Sequence, residues 1–228
     1  RDTVIQALKH KHTEICPFSA NFTKQAQANL INYAKDPDIL SKLDSYIHMA
    51  EYWGRPTEIQ GRPDYYKDDF GIIWNRSGAD KDIGIPVSNV IENLDDNEYK
   101  LPAVDEPYIR NMISSLVKTR GDRFVITGIG FSLFERAWSL AGMREVLIAM
   151  AEDSEGLHKL LDDICEFNMK IIDIALDYDI DAVYFGDDWG QQKNMIMGPD
   201  YWRKFIKPRL EKMYGKVKEK NLFVIQHS

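Results

Sequence analysis

Asp181-Ala182-Val183-Tyr184-Phe185-Gly186-Asp187-Asp188-Trp189-Gly190-Gln191-Gln192 is the stretch on which the fold turns. Ala182 to Phe185 form an apolar run without polar alternation, the pattern of a strand covered on both faces. The acidic, glycine-containing tail marks where that strand ends. Upstream, the spacing of Leu157, Leu160, Leu161, Ile164, Ile171, Ile172 and Ala175 predicts a long helix from about Asp153 to Tyr178. Downstream, Pro199 opens another helix with Trp202, Phe205, Ile206, Leu210, Met213 and Val217 on one face, and Pro208 is expected to kink it.

Working outward, two more runs resemble the first. Arg123-Phe124-Val125-Ile126-Thr127-Gly128 reads as a buried strand, as does Leu222-Phe223-Val224-Ile225-Gln226. Between the first two lie helical segments from Leu133 to Leu140 and Met143 to Met150. Before them, Pro107 starts a helix whose Ile109, Met112, Ile113, Leu116 and Val117 form an apolar stripe ended by Gly121. Apolar strands alternating with long helices imply parallel pairing through right-handed crossovers. A (β/α)₈ barrel and an open doubly wound sheet both fit, and both place ligands at the carboxyl ends of the strands.

The first 104 residues are less regular. Phe22, Ala26, Leu30 and Tyr33 predict a helix face, Asp36-Pro37 interrupts it, and a second helix is expected through Met49. Residues 51–104 contain two Gly-Arg-Pro tripeptides and many aromatics, and read as irregular strands and loops. One domain is expected over 1–228, with 1–104 as an N-terminal extension and 105–228 as regular β/α units. The closing strand at 222–226 has nothing after it to cover its face, so further elements are expected beyond Ser228.

Composition narrows the function. The 228 residues are 44% hydrophobic and 29% charged, which is globular rather than disordered. The net charge of -7 lacks the basic footprint of a nucleic-acid binder. No apolar run approaches the roughly 20 residues that span a bilayer, so no membrane partner is expected. Arg1 to His10 carry no signal-peptide core. Cys16 and Cys165 are isolated, which suits a reducing cytoplasm, and Cys165 falls in an amphipathic helix as a packing residue.

Three strand ends carry candidate chemistry. After the first strand, Gly128 and Gly130 could admit a ligand close to the backbone, or simply form a tight turn; Leu133 breaks any dinucleotide fingerprint. Glu135 and Arg136 read as a solvated pair. After the second, Asp187 and Asp188 repel each other, so one holds a proton near neutrality or both seek a cation. Trp189 offers an apolar wall, and Gln191 and Gln192 offer amides. Either aspartate could instead cap a helix. After the third, His227 is either a hydrogen-bonded core residue or a metal ligand or acid/base group. His10, His12, His48 and His158 lie in helix-like or terminal segments and read as surface or structural residues.

Asp181 through Gln191, Pro199-Asp200-Tyr201-Trp202, Phe205-Ile206-Lys207-Pro208 and the strand ending in His227-Ser228 together resemble the uroporphyrinogen decarboxylase superfamily. Phe134-Glu135-Arg136-Ala137-Trp138-Ser139-Leu140, Gly142-Met143 and the opening Arg1 to His10 are similar to its corrinoid-methyltransferase-like branch. The resemblance implies a (β/α)₈ TIM barrel longer than this chain. Three features depart from the true decarboxylases. Their arginine-rich N-terminal stretch is absent, Gly130-Phe131 is followed by Ser132-Leu133-Phe134-Glu135 where they carry a Pro-aromatic-Thr segment, and Asp187-Asp188 stands where they carry Asp-Ser. The branch implies methyl transfer between a small ether, amine or thiol and a corrinoid, on the cofactor or on a partner corrinoid protein. It also implies zinc on His227 with a cysteine two residues further on, and homodimers as an assembly. On this basis Asp187, Asp188 and His227 are the expected catalytic residues, with His227 as metal ligand. Phe131, Trp189, Gln191 and Gln192 are the expected substrate contacts. Tetrapyrrole decarboxylation by a carboxy-lyase, and a barrel without catalysis, are the alternatives.

Overall fold

The computed structural model describes residues 1–43, 45–78, 81–95 and 98–228. Four parallel strands form its main sheet: β1 (Ile47–Tyr52), then β6 (Phe124–Ile129), β7 (Ala182–Gly186) and β8 (Phe223–His227), paired in that order. Between β1 and β6 run four short strands, β2 (Thr57–Glu58), β3 (Tyr65–Lys67), β4 (Ile73–Asn75) and β5 (Ile85–Pro86), in a separate antiparallel sheet. The parallel sheet with covering helices is the α/β, TIM-barrel-like class that the strand pattern predicts.

The helices begin with α1 (Asp2–Leu8), α2 (Lys24–Ala34) and α3 (Ile39–Lys42). Then come α4 (Glu106–Lys118), α5 (Phe134–Ala141), α6 (Met143–Glu152) and α7 (Glu155–Ala175). A short α8 (Pro199–Tyr201) leads through a π-helical turn (Trp202–Ile206) into α9 (Lys207–Glu219). The wide turn sits two residues before Pro208, where a missing N–H and ring clash are expected to distort the helix. Asp105 caps α4 by accepting from Tyr108 N, and Ser154 caps α7 by accepting from Leu157 N. Among the described residues no helix is long and apolar enough to cross a membrane.

Each parallel strand shows one face to the helices and one to the other side. Paired residues share a face, so Glu51, Gly128, Tyr184 and Ile225 lie in one row, and Gly186 lies beside His227. The helix-facing set includes Val125, Ile129, Val183 and Phe185, and packs with α4, α5, α7 and α9 in the large core. On the opposite face, Phe124, Ile126 and Ala182 form a second cluster with Val4 of α1, flanked by Ile47, Met49, Phe223 and Ile225. α1 therefore plugs the amino-terminal end of this face, and the carboxyl-terminal end is left to polar side chains.

Two expectations at the N-terminal end are corrected. The helix expected through Met49 is only α3, and residues 47–52 are strand β1; Asp44, within that stretch, lies outside the described residues. His48 therefore sits on a strand, where its Nε2 lies 2.9 Å from Thr119 Oγ1. The face drawn through Phe22, Ala26, Leu30 and Tyr33 buries nothing. α2 has no buried residue, Tyr33 is 89% exposed, and Phe22 precedes the helix. Cys165 is buried, as its helical position implies, and burial pushes its thiol up to about 11.

Candidate functional site

The glycines after β6 and β7 are where the backbone makes room. A Cβ on Gly130 would collide with Glu51 Oε1 and Trp53 Cβ. One on Gly128 would lie 3.0 Å from Met49 and 3.1 Å from both Glu51 and Tyr184. These positions thus let the Glu51 side chain cross the strands beside it. The result is a cavity of about 370 Å³ at the carboxyl ends of the parallel strands. It is lined by Glu51, Trp53, Asp82, Ile83, Gly130, Phe131, Glu135, Tyr184, Gly186, Asp188 and His227.

His227 Nε2 lies 3.3 Å from Asp188 Oδ1, with both side chains more than half exposed. Such an open pair is screened by water and orients the ring more than it stabilises the fold. The Tyr184 and His227 rings stand 6.3 Å apart. Burial, followed by the charges of Glu51, Asp188 and Glu135, pushes the Tyr184 hydroxyl up to about 12. Burial also raises Glu51, an effect that His227 opposes. Phe131 adopts φ of 52°, a left-handed conformation unusual for an aromatic residue, and packs 6.3 Å from Trp53 and 5.4 Å from Trp74.

Glu135, in the first turn of α5, is the most perturbed acid that reaches the cavity. Burial, then the charges of Asp187 and Asp188, push it up to about 7. Asp187, directed the other way, is pushed up to about 6 by burial. Both groups hold protons more tightly folded than in an unfolded chain, where acids titrate near 4. Their contribution to stability is therefore greatest below pH 4 and is lost as pH rises through about 6 and 7. Urea midpoints are expected to fall between pH 5 and pH 8. Glu135→Gln should remove the upper part of that fall, and an unchanged profile in the variant would refute the assignment.

The acidic pair separates. Asp188 shares the face of Tyr184 and Gly186 and lines the cavity, whereas Asp187 is fully buried. Asp187 accepts from Leu133 N at 3.3 Å, Phe134 N at 3.1 Å, Glu135 N at 2.8 Å and Trp189 Nε1 at 2.6 Å. All four partners are donors, which suits the ionised carboxylate. Its own N–H donates to His227 O at 3.3 Å. Asp187 thus fastens the start of α5 and the end of β8 to the end of β7. It does cap a helix, though the capped helix precedes it in the chain.

Trp189 is buried beside Asp187 and stands edge-on to Trp202, 5.5 Å away. Gln191 and Gln192 are exposed on a turn where Gln191 N donates to Asn194 O. None of the three lines the cavity, because the chain folds back through the Gly190–Met195 bridge. Phe131, Asp188 and His227 are therefore the expected residues that meet there. Arg136, read as solvated, is 2% exposed. It donates to Trp53 O, stacks over Phe70 with its carbon 3.7 Å from the ring centre, and lies 3.5 Å from Asp68. Glu51, Trp53, Asp82, Ile83, Glu135 and Tyr184 are not among the expected site residues, and Glu135, read as solvated, is half-buried.

A parallel α/β sheet with acids, an imidazole and aromatic walls at its carboxyl ends has the arrangement of a barrel-type enzyme site. The family model of uroporphyrinogen decarboxylase (URO-D) matches residues 80–228. This chain belongs to that family. In fold it is similar to a methyltransferase from Methanosarcina mazei, with a TM-score of 0.64 at 16% identity, over 99% of this chain and 68% of that one. No curated protein matches the sequence. The family match covers Phe131, Glu135, Tyr184, Asp188 and His227, while Glu51 and Trp53 precede it.

Proposed function

We propose that this chain is a methyltransferase of the uroporphyrinogen decarboxylase family, moving a methyl group between a small methylated substrate and a corrinoid on a partner protein. One observation favours this over tetrapyrrole decarboxylation. The described lining residues include four acids, Glu51, Asp82, Glu135 and Asp188, and no lysine or arginine. A porphyrinogen is a polycarboxylate that calls for cationic clamps, and the described lining residues offer none. The similarity to a methyltransferase agrees with the reading.

When bound, the corrinoid supplies the cobalt centre that carries the methyl group. Glu135, holding its proton to about pH 7, would donate it where the departing heteroatom is an ether oxygen; a methylated ammonium leaves as a neutral amine and needs no proton. Asp188 orients the His227 ring from 3.3 Å, and Phe131 and Trp53 supply apolar walls. Zinc on His227 is part of the same proposal and would take its other ligands from a cysteine two residues further on and beyond, since among the described residues no three His, Cys, Asp or Glu side chains are placed to hold a metal ion.

Methyl transfer from an aryl methyl ether or methylated amine to cob(I)alamin, followed by its absorbance, tests the reading. Glu135→Gln is expected to slow transfer from the ether roughly 100-fold and to remove a pH-dependent limb near 7, with little effect on transfer from a methylated ammonium. Wild-type rate and pH profile in this variant would overturn the role of Glu135.

A further inference from the structure

We propose that the cavity at the strand ends takes a small organic cation of the methylammonium class. As the choice of methylated substrate this rests on the methyl-transfer reading; as a binding property it stands alone.

The lining combines charge with aromatic faces. Glu51 enters from β1, Glu135 from α5, Asp188 from just beyond β7 and Asp82 from the connection between β4 and β5, so acids approach from several directions. Trp53, Phe131 and Tyr184 stand between them, with Trp53 and Phe131 inclined at 34°. Aromatic faces attract cations most strongly where water is partly excluded. The two guanidiniums near these rings lie outside the lining: Arg76 is 5.6 Å from the Trp53 ring centre, and Arg136 is 5.3 Å from that of Phe131.

The distribution of the acids selects the kind of cation. Among the described residues no three potential ligands converge as a metal would require. A trimethylammonium group spreads its charge over a wide apolar surface, which dispersed carboxylates and rings can contact together. Gly130 keeps this space clear, since a side chain there would meet Glu51 and Trp53. A volume of about 370 Å³ lies in the range of small-molecule sites. A neutral ether gains little from the carboxylates, and a thiolate is repelled by them. The raised protonation of Glu51 and Glu135 reflects crowded, poorly solvated acids that a bound cation would relieve.

Choline and its uncharged isostere 3,3-dimethylbutan-1-ol, titrated calorimetrically into the full chain, separate charge from shape. Choline is expected to bind saturably and at least tenfold more tightly than the alcohol. Glu51→Gln and Asp188→Asn should each weaken choline several-fold and leave the alcohol unchanged, with thermal melts confirming the fold. If either variant unfolds, Trp53→Leu provides the second arm and should weaken choline more than the alcohol. Equal binding of the two compounds, or no choline binding by folded protein, overturns the proposal. Choline binding without methyl transfer from any methylated compound would support it while overturning the methyltransferase reading. Transfer from a neutral ether by protein that ignores choline would do the reverse.

Discussion

Asp187→Asn is expected to destabilise the protein by on the order of 1–3 kcal/mol, although it changes one atom. The carboxylate is fully buried and receives four N–H donors, three from the first turn of α5 and one from Trp189. An amide keeps one acceptor oxygen and turns its NH₂ toward groups that also donate. At least one buried donor then loses its partner, and the negative charge at the helix N-terminus goes with it. Urea unfolding of the two proteins at pH 7 measures the difference. Asp188→Asn, at the adjacent but half-exposed position, is the control and should cost no more than about 1 kcal/mol. Near-equal effects of the two variants would show that Asp187 is not the tie between β7, α5 and β8.

Arg136→Met is expected to cost more, roughly 3–5 kcal/mol, and to loosen the cavity wall. Its guanidinium is the buried counter-charge of Asp68, which also accepts from Phe70 N, Ile72 N and Trp74 Nε1. Removing the arginine leaves that carboxylate buried without its cation and frees Trp53 O, which stands next to the site. For a chain of this size, the loss corresponds to a melting point lower by roughly 10 °C. Arg136→Lys should rescue little, because an ammonium lacks the planar stack over Phe70 and the reach to two acceptors. A calorimetric scan of the three proteins decides the matter; a methionine variant as stable as wild type would mean that the ion pair is dispensable.

The sheet was legible wherever strands were apolar on both faces. Phe124–Ile129, Ala182–Gly186 and Phe223–His227 sit close to the runs read from sequence, because helices cover one side and the α1 plug or neighbouring strands cover the other. β1 escaped because Ile47-His48-Met49-Ala50-Glu51-Tyr52 mixes polar residues with good helix formers. Its polarity goes with the cavity, which Glu51 lines. The Asp187–Asp188 pair illustrates a second limit. Neighbours on an extended chain point to opposite sides, so one entered the core and the other the cavity. The parity was available from Tyr184 and Gly186, which share the face of Asp188, but their register against β6 and β8 was not. Arg136 looked solvated because its partner Asp68 lies far back in the irregular region, where nothing in the spacing ties the two together.

The cavity draws its walls from two sources. Glu51, Tyr184 and His227 project from the parallel strands, whereas Asp82 and Ile83 belong to the segment threading the antiparallel sheet. Substitutions confined to Asp82 and Ile83 would therefore reshape the cavity mouth while Glu51, Tyr184 and His227 keep their places, whereas the sheet that carries the two is locked to the core through Asp68, Phe70, Ile72 and Trp74.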